Sequence, residues 1–195
     1  MRENRAVKAF SPRRASALAA VAVLALTLAA CDGSKPTASA AGCPKPQGLT
    51  SVGEKIPTDC ELEGLSGRTV SFSELVGKPA IINFWASWCT FCIAEMPDFQ
   101  KVHTALGNKV TILGADLLGV DGETKSLANS FAGKTGVTYT LLYDRGGLLY
   151  GHFSAQLIMP VTIFVNSKGV VAFRQFGPLK EARIREILRT KLNVV

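Results

Sequence analysis

The sequence lacks several features that would assign it to a class directly. Its longest apolar run, residues 15–30, is shorter than the roughly 20 residues that a helix needs to cross a bilayer. After residue 30 it has no cluster of lysine and arginine, and because residues 1–30 hold +4 of the net charge of +7, only +3 remains there. The basic pI of about 9.3 therefore does not indicate a nucleic-acid-binding protein. No internal repeat is evident, and the length of 195 residues suits one domain with appendages.

The first 30 residues have the layout of a secretory signal. Residues 1–14 carry five lysine and arginine side chains against one glutamate, and an apolar run follows. That run ends in LAAC, Leu28–Cys31, which resembles the lipobox of bacterial lipoproteins, whose cysteine is lipidated and becomes the new N-terminus. We therefore expect a signal peptide over residues 1–30 and a lipid anchor on Cys31, which would hold the protein outside the cytoplasm at the bacterial cell membrane. Two alternatives stay open: Cys31 is an ordinary cysteine beside an uncleaved anchor, or cleavage occurs near residues 38–40.

Composition divides the remaining chain into a tether and a domain. Residues 31–52 are rich in alanine, serine, proline, glycine and lysine, with little to bury, and we expect a flexible tether there. Over residues 53–195, short apolar runs alternate with helical patterns, which indicates an α/β domain. The patterns predict strands within residues 61–72, 80–85, 110–115 and 139–144, a hairpin over 161–176, and helices over 89–106, 123–134, 148–153 and 179–192.

The stretch FWASWCTFCIAEMP, residues 84–97, places two cysteines at the junction between a buried strand and a helix. A helix that begins at Cys89 puts this sulfur among unpaired backbone N–H groups at the positive end of the helix dipole, which lowers the pKa of the thiol. Cys92 follows one turn later on the same helix face, close enough to bond with Cys89. Cys89 is thus predicted to attack a partner's disulfide, and Cys92 to release the partner by attacking Cys89.

Three other uses of a close cysteine pair compete with this prediction. A four-cysteine zinc site needs a second close pair, which Cys31, Cys43 and Cys60 do not offer. A purely structural disulfide across two residues would stabilise the fold little, since the benefit grows with the length of the closed loop. A Cu(I) site of two thiolates with His152 or Met159 is harder to exclude, because thiolates suit Cu(I). We expect no resident metal, and the copper alternative stays open.

From about residue 55 onwards the chain resembles the thioredoxin superfamily, and within it the membrane-attached bacterial branch of TlpA, ResA and DsbE (CcmG) proteins. WCTFCIAEMP, residues 88–97, matches the motif W-C-x-x-C-x-x-E-x-P of that branch. The resemblance implies a thioredoxin-like α/β fold, in which helices flank a central mixed sheet. It also implies an N-terminal β-hairpin and a central αβ insertion, which residues 110–155 supply. The implied activity is that of a thiol–disulfide oxidoreductase without a dissociable cofactor.

The resemblance also assigns roles to residues around the cysteines. Glu95 matches the acidic residue of the motif and is implied in proton transfer, for which partial burial would raise its pKa. Asn83 stands where cytosolic thioredoxins have a buried Asp, so Glu95 is the available proton acceptor. Pro160 aligns with the family's cis-proline, which leaves the backbone of Met159 free to pair with a substrate's extended chain. Trp88 is expected to cover the sulfurs and to form part of the docking surface.

Four further residues complete the predicted site. Thr90 and Phe91 lie between the two active cysteines, where the family tunes the reduction potential, and Phe91 replaces the proline that many members carry. Cys43 and Cys60 remain after the other cysteines are assigned, and in an oxidising compartment two remaining cysteines most simply form a structural disulfide. The alternative is that one or both of them act as resolving or regulatory thiols.

By resemblance, the expected task is the reduction of disulfides in protein partners outside the cytoplasm, for example the cysteines of apocytochrome c before haem attachment. Electrons would be exchanged with a membrane partner, and the protein is expected to be a monomer that binds no nucleic acid. The direction of electron flow depends on reduction potentials, which a sequence does not provide. An oxidase of secreted-protein thiols is therefore the first alternative, and a Cu(I) metallochaperone is the second. A peroxidase is disfavoured, since the Trp-flanked pair does not resemble a peroxiredoxin site.

Overall fold

The computed structural model describes residues 42–195, in which strands and helices alternate. The strands are β1 (Glu61–Glu63), β2 (Thr69–Ser71), β3 (Ala80–Trp85), β4 (Thr111–Asp116), β5 (Thr140–Tyr143), β6 (Val161–Val165) and β7 (Val171–Phe176). The helices are α1 (Thr90–Leu106), α2 (Lys125–Thr135), α3 (Leu148–Gly151) and α4 (Glu181–Leu192). Five strands form a mixed sheet in the order β5-β4-β3-β6-β7, and β1 and β2 form a separate antiparallel hairpin.

Strand β3 lies at the centre of the sheet. All six of its residues, AIINFW, are buried, as expected for a strand whose two faces are both covered. It pairs in parallel with β4 and antiparallel with β6. The loop that carries the two cysteines of the predicted site therefore leaves from the carboxyl end of the most buried strand.

Helix α1 follows that loop and packs one face against the sheet. Its buried residues recur at helical spacing and include Cys92, Glu95, Phe99 and Val102. The backbone N–H of Gly107 closes the last turn by donating to the carbonyl of His103. Glu95 and Asp98 are the two charged residue types among these buried residues, and Glu95 is the more deeply buried of the two.

Two apolar layers cover the two faces of the sheet. Side chains alternate along a strand, so neighbouring residues of β3 enter different layers. The layer on the α1 and α4 side contains Trp85, Phe99 and Ile187. The opposite layer contains Phe84 and Phe72, and the β1–β2 hairpin and the residues around α3 contribute to it.

The predicted fold class is confirmed: helices flank a mixed sheet, an N-terminal hairpin is present, and residues 110–155 supply β4, α2, β5 and α3. Three predicted helix starts are one or two residues early. The helix expected from Leu179 begins at Glu181, because Lys180 is its N-cap. The helix expected from Cys89 begins at Thr90, because Cys89 is its N-cap. The helix expected from Glu123 begins at Lys125, because Thr124 caps it by accepting a hydrogen bond from the backbone N–H of Leu127.

Residues 42–52, the described part of the predicted tether, pack against the domain. A disulfide joins Cys43 to Cys60, and the N–H of Thr50 donates to the carbonyl of His152 at 2.6 Å. The predicted signal peptide, residues 1–30, and Cys31 lie outside the described residues. Within residues 42–195, none of the helices combines the length and the apolar character needed to cross a membrane.

The chain's own N-terminal segments occupy part of both sheet edges. At the outer strand β7, Val171 exchanges backbone hydrogen bonds with Gly53 and Glu54 at 2.8 Å. At the other edge, the N–H of Leu65 donates to the carbonyl of Leu141 in β5 at 2.9 Å. Strand backbone at these positions is therefore already paired.

Candidate active site

Cys89 and Cys92 lie at the first turn of α1 and are joined by a disulfide. Cys89 has extended backbone and caps the helix, and its Sγ accepts a hydrogen bond from the N–H of Cys92 at 3.2 Å. Cys89 keeps 6% of its surface exposed, whereas Cys92 is fully buried. A partner's sulfur can therefore approach Cys89 and not Cys92.

The aromatic residues around the disulfide divide into exposed and buried ones. Trp88 is 39% exposed and Phe91, between the cysteines, is 64% exposed. Thr90 is also exposed. Phe84 and Trp85 are fully buried, and the ring of Phe84 packs edge-on against Tyr150 with centroids 5.3 Å apart. The side chains exposed to solvent are therefore those of Trp88, Thr90 and Phe91. Phe84 and Trp85, both in β3, belong to the core.

Glu95 lies one helical turn beyond Cys92 and is almost completely buried. Its Oε1 accepts a hydrogen bond from Nδ2 of Asn83 at 2.7 Å, and its Oε2 accepts one from the N–H of Leu179 at 2.8 Å. Burial raises the pKa of Glu95 to about 7, because the desolvation of the charged form outweighs these two hydrogen bonds. A group with such a pKa can take up or release a proton near neutral pH.

Asn83 connects Glu95 to the neighbouring strand. Its Nδ2 also donates to Oγ1 of Thr162 at 3.1 Å, whereas its buried Oδ1 has no hydrogen-bond partner among the described residues. Rotation of the amide by half a turn would aim Oδ1 at Glu95 and allow it to accept a hydrogen bond from the O–H of a neutral carboxyl group. The pair can thus satisfy Glu95 in both protonation states.

The peptide bond between Met159 and Pro160 is cis. Val161 pairs with Phe84, so Pro160 lies at the end of β3 from which the cysteine-bearing loop leaves. The carbonyl of Pro160 accepts from the N–H of Gly177, whereas the backbone groups of Met159 have no partner among residues 42–195. Ile158, the residue before Met159, exposes its side chain.

The loop before Pro160 is held by a buried tyrosine. The hydroxyl of Tyr150 accepts a hydrogen bond from the N–H of Ile158 and lies 2.8 Å from the carbonyls of Gln156 and Ile158. These bonds place exposed Leu157 and Ile158 beside the predicted docking position at Met159.

A second group of carboxylates lies behind the active-site loop and was not predicted. Oε2 of Glu123 accepts hydrogen bonds from the N–H and the Oγ of Ser87, at 2.7 and 2.8 Å. Asp116 lies beside Trp85 in the parallel register and is fully buried, and neither of its carboxylate oxygens has a hydrogen-bond partner within residues 42–195. A polar residue at the carboxyl end of a parallel strand is the sequence signal that could have identified Asp116, since ligands and reactive groups gather at such ends.

Other residues of the predicted site lie elsewhere. Cys43 and Cys60 form a buried disulfide near the N-terminus of the described chain. The Nε2 of His152, which the copper alternative invoked, is 3.0 Å from the carbonyl oxygen of Pro44. Within residues 42–195, no three His, Cys, Asp or Glu side chains converge as a metal site.

The AhpC/TSA family model matches residues 52–174 of the chain. The thiol–disulfide oxidoreductase ResA of Halalkalibacterium halodurans is 25% identical over 128 residues, which cover 65% of this chain and 70% of the relative. Among solved structures, a putative thiol:disulfide interchange protein DsbE from Chlorobium tepidum has a TM-score of 0.61 at 25% identity, covering 71% of this chain and 96% of that one. The pneumococcal exposed lipoprotein thioredoxin Etrx1 of Streptococcus pneumoniae has a TM-score of 0.59 at 28% identity, covering 67% and 98%. The chain therefore belongs to the AhpC/TSA family, and it is a thioredoxin-like thiol–disulfide oxidoreductase of the ResA and DsbE type.

Proposed function

We propose that the Cys89–Cys92 pair is the redox centre and that it reduces disulfides in protein partners outside the cytoplasm. The observation that carries this proposal is the difference in exposure between the two sulfurs. Cys89 reaches the surface at a helix N-cap, where a thiolate is stabilised, and Cys92 lies buried behind it. Only Cys89 can form the bond to a partner, and only Cys92 is placed to break it.

The reaction transfers two electrons in two exchange steps. In the reduced protein the Cys89 thiolate attacks a partner's disulfide, forms a mixed disulfide and releases one partner thiolate, which takes a proton from water. The Cys92 thiol then passes its proton to the Glu95 carboxylate and attacks Sγ of Cys89. This step forms the Cys89–Cys92 bond, as in the present structure, and releases the second partner thiolate. The partner is reduced and the pair is oxidised.

Glu95 is proposed as the proton acceptor because of its position and its pKa. It follows Cys92 by one turn on the buried face of α1, and burial holds its pKa near 7. Asn83 cannot titrate, and the amide instead hydrogen-bonds to Glu95. A proton accepted at this carboxyl group can therefore be lost again at neutral pH.

The surface around Cys89 favours a protein partner over a small charged thiol. Trp88, Phe91, Leu157 and Ile158 expose large apolar side chains. The stretches that carry them, residues 84–94 and 153–165, contain no charged residue. The backbone of Met159 next to this surface has no partner in the part of the chain that the structure describes. An uncharged apolar surface of this kind suits an extended, apolar polypeptide segment, which can pair along its main chain.

The proposed location rests on the sequence and on one similar protein. The export-signal pattern of residues 1–30 and the lipobox-like Leu28–Cys31 favour a lipid anchor at Cys31. The similar pneumococcal protein is described as an exposed lipoprotein. Apocytochrome c is one partner that would fit the reducing role, and electrons would then be restored by a membrane protein.

Trapping of a mixed disulfide tests the assignment of the cysteines. The Cys92→Ser variant should accumulate a covalent complex with a protein that contains a disulfide, and dithiothreitol should release it. The matched Cys89→Ser variant should form none, because its remaining thiol is buried. Equal trapping by both variants would refute the division of roles.

Equilibration of the wild-type pair with a graded thiol–disulfide buffer tests the direction of electron flow. A midpoint potential near that of thioredoxin, about −270 mV, supports a reductant. A potential near that of the oxidant DsbA, about −120 mV, would reverse the proposed direction while leaving the cysteine assignments intact.

A further inference from the structure

The turn that precedes Cys89 is held from behind by a residue of the central insertion. Glu123 lies just before α2, and one of its oxygens accepts both the N–H and the Oγ–H of Ser87 at 2.7 and 2.8 Å. Ser87 is the middle of a tight turn, since the N–H of Cys89 donates to the carbonyl of Ala86 at 3.1 Å. Glu123 therefore holds the backbone two residues before the reactive sulfur.

Three buried carboxylate oxygens in this region have no donor among the described residues, and Asp116 lies beside Trp85, two residues before Ser87. They are Oε1 of Glu123 and both side-chain oxygens of Asp116. Both residues are excluded from solvent, and a buried acceptor without a donor is costly. A proton on one of the two carboxyl groups removes this cost, because it turns one acceptor into a donor for the other.

The hydrogen bonds decide which of the two groups carries the proton. Glu123 already accepts two hydrogen bonds from Ser87 through one of its oxygens. Asp116 accepts none from the described residues, and burial together with Glu123 and Asp144 raises its pKa to about 8. At neutral pH the proton therefore belongs on Asp116.

No lysine or arginine among the described residues pairs with Asp116. Asp144, which follows β5, has one oxygen bonded to the N–H of Leu149 and the other to that of Tyr150, each at 2.8 Å. Lys125, at the start of α2, is paired with Glu63 at 2.6 Å. Asp116 thus faces two carboxylates and no free positive charge among the residues described.

We propose that Asp116 and Glu123 form an acid–carboxylate pair, in which Asp116 donates a proton to Oε1 of Glu123, and that this pair positions the turn that carries Cys89. Loss of the proton places two carboxylates side by side in a buried site, and their repulsion draws Glu123 away from Ser87. The turn then loosens, and with it the helix N-cap geometry that stabilises the Cys89 thiolate. The inference deepens the proposed function, since it assumes that Cys89 is the reactive sulfur.

The first test follows the Ser87 amide in the oxidised protein, where neither active cysteine titrates. A strong hydrogen bond to a carboxylate shifts the amide proton resonance downfield. From about pH 6 to about pH 10, this resonance should move upfield in the wild type with an inflection near the pKa of Asp116. In the Asp116→Asn variant, which keeps a donor towards Glu123, it should stay downfield throughout. In Glu123→Gln it should be upfield at every pH. The control Glu186→Gln, which removes an exposed carboxylate on α4, should behave as the wild type.

The second test is functional and uses the same variants. At neutral pH the equilibrium constant of the Cys89–Cys92 pair against a dithiol should change about threefold or more in Glu123→Gln and little in Asp116→Asn. A wild-type Ser87 resonance without the inflection, or the same inflection in Asp116→Asn, would overturn the proposal. If Glu123→Gln fails to fold, the comparison of the wild type with Asp116→Asn decides alone. Mixed-disulfide trapping by Cys92→Ser tests the proposed function independently. The proposed Asp116–Glu123 pair can therefore be refuted while the role of Cys89 stands, and the reverse.

Discussion

The replacement of Glu95 by glutamine should make the protein more stable at alkaline pH and less active. Glu95 is buried between α1 and the sheet, and burial raises its pKa from 4.5 to about 7. Between these two values the unfolded chain releases the proton while the folded protein retains it. Stability therefore falls as the pH rises from about 4.5 to about 7 and stays lowered above that range. Because glutamine cannot ionise, the stability of Glu95→Gln does not fall in this way as the pH rises.

The magnitude follows from the two pKa values. At about 1.4 kcal/mol for each tenfold change in proton affinity, the buried charge costs roughly 3 kcal/mol above neutral pH. Glutamine at position 95 can keep both contacts. Its side-chain oxygen can accept the hydrogen bond from the N–H of Leu179. Its side-chain NH2 group can donate a hydrogen bond to Oδ1 of Asn83, which has no partner among the described residues, once the Asn83 amide has rotated. An imperfect fit would cost about 1 kcal/mol. We therefore expect a net gain of roughly 2–3 kcal/mol in the free energy of unfolding at high pH.

The assay is denaturant unfolding of the oxidised wild type and Glu95→Gln at about pH 4 and about pH 8. The free energy of unfolding of Glu95→Gln should equal that of the wild type or be slightly lower at the lower pH. At the higher pH it should exceed that of the wild type. Since Asp116 and Asp144 are present in both proteins, their titration cancels in this difference. A difference that does not depend on pH would refute the reasoning. Resolution of a mixed disulfide should meanwhile slow by about a hundredfold at neutral pH, as is typical when a general base is lost.

Two further substitutions test the docking surface and the second disulfide. Phe91→Ser should lower kcat/KM for a protein disulfide by roughly fivefold, about 1 kcal/mol, because Phe91 exposes 64% of its surface beside Cys89. It should leave the rate with a small aromatic disulfide unchanged, and Leu127→Ser, which removes another exposed apolar side chain, should alter neither rate. The Cys43→Ala/Cys60→Ala double variant should lose about 3 kcal/mol of unfolding free energy, since the bond closes a loop with a sequence separation of 17. Turnover per folded molecule should not change in that variant, and a lost activity would contradict a structural role.

The central elements of the fold could be predicted because their patterns are local. Residues 80–85 are apolar without interruption, and residues 161–176 alternate around a turn, so the buried strand and the hairpin are evident from composition alone. The position of Cys89 at the end of the strand likewise indicates a helix N-terminus. The helix starts were misplaced by one or two residues because a capping residue has extended backbone.

The contacts that complete the site depend on long-range pairing and could not be predicted in this way. Asn83 meets Thr162 only because β3 and β6 pair across 79 residues of sequence. Glu123 meets Ser87 because the loop before α2 returns to the active-site turn, and its sequence is typical of an exposed polar loop. Asp116 is a single polar residue at a strand end, and whether it is solvated or buried depends on the elements that cover it.

The partial occupation of both sheet edges affects where another polypeptide can pair with the backbone of this protein. A redox protein that acts on incompletely folded chains is surrounded by segments ready to add a strand to any unpaired edge. Here Gly53, Glu54 and Leu65 already occupy such positions on β7 and β5, whereas the main chain at Met159 has no partner among the described residues. In the proposed function, a partner segment therefore pairs at Met159, beside Cys89, and not at these occupied positions of the two sheet edges.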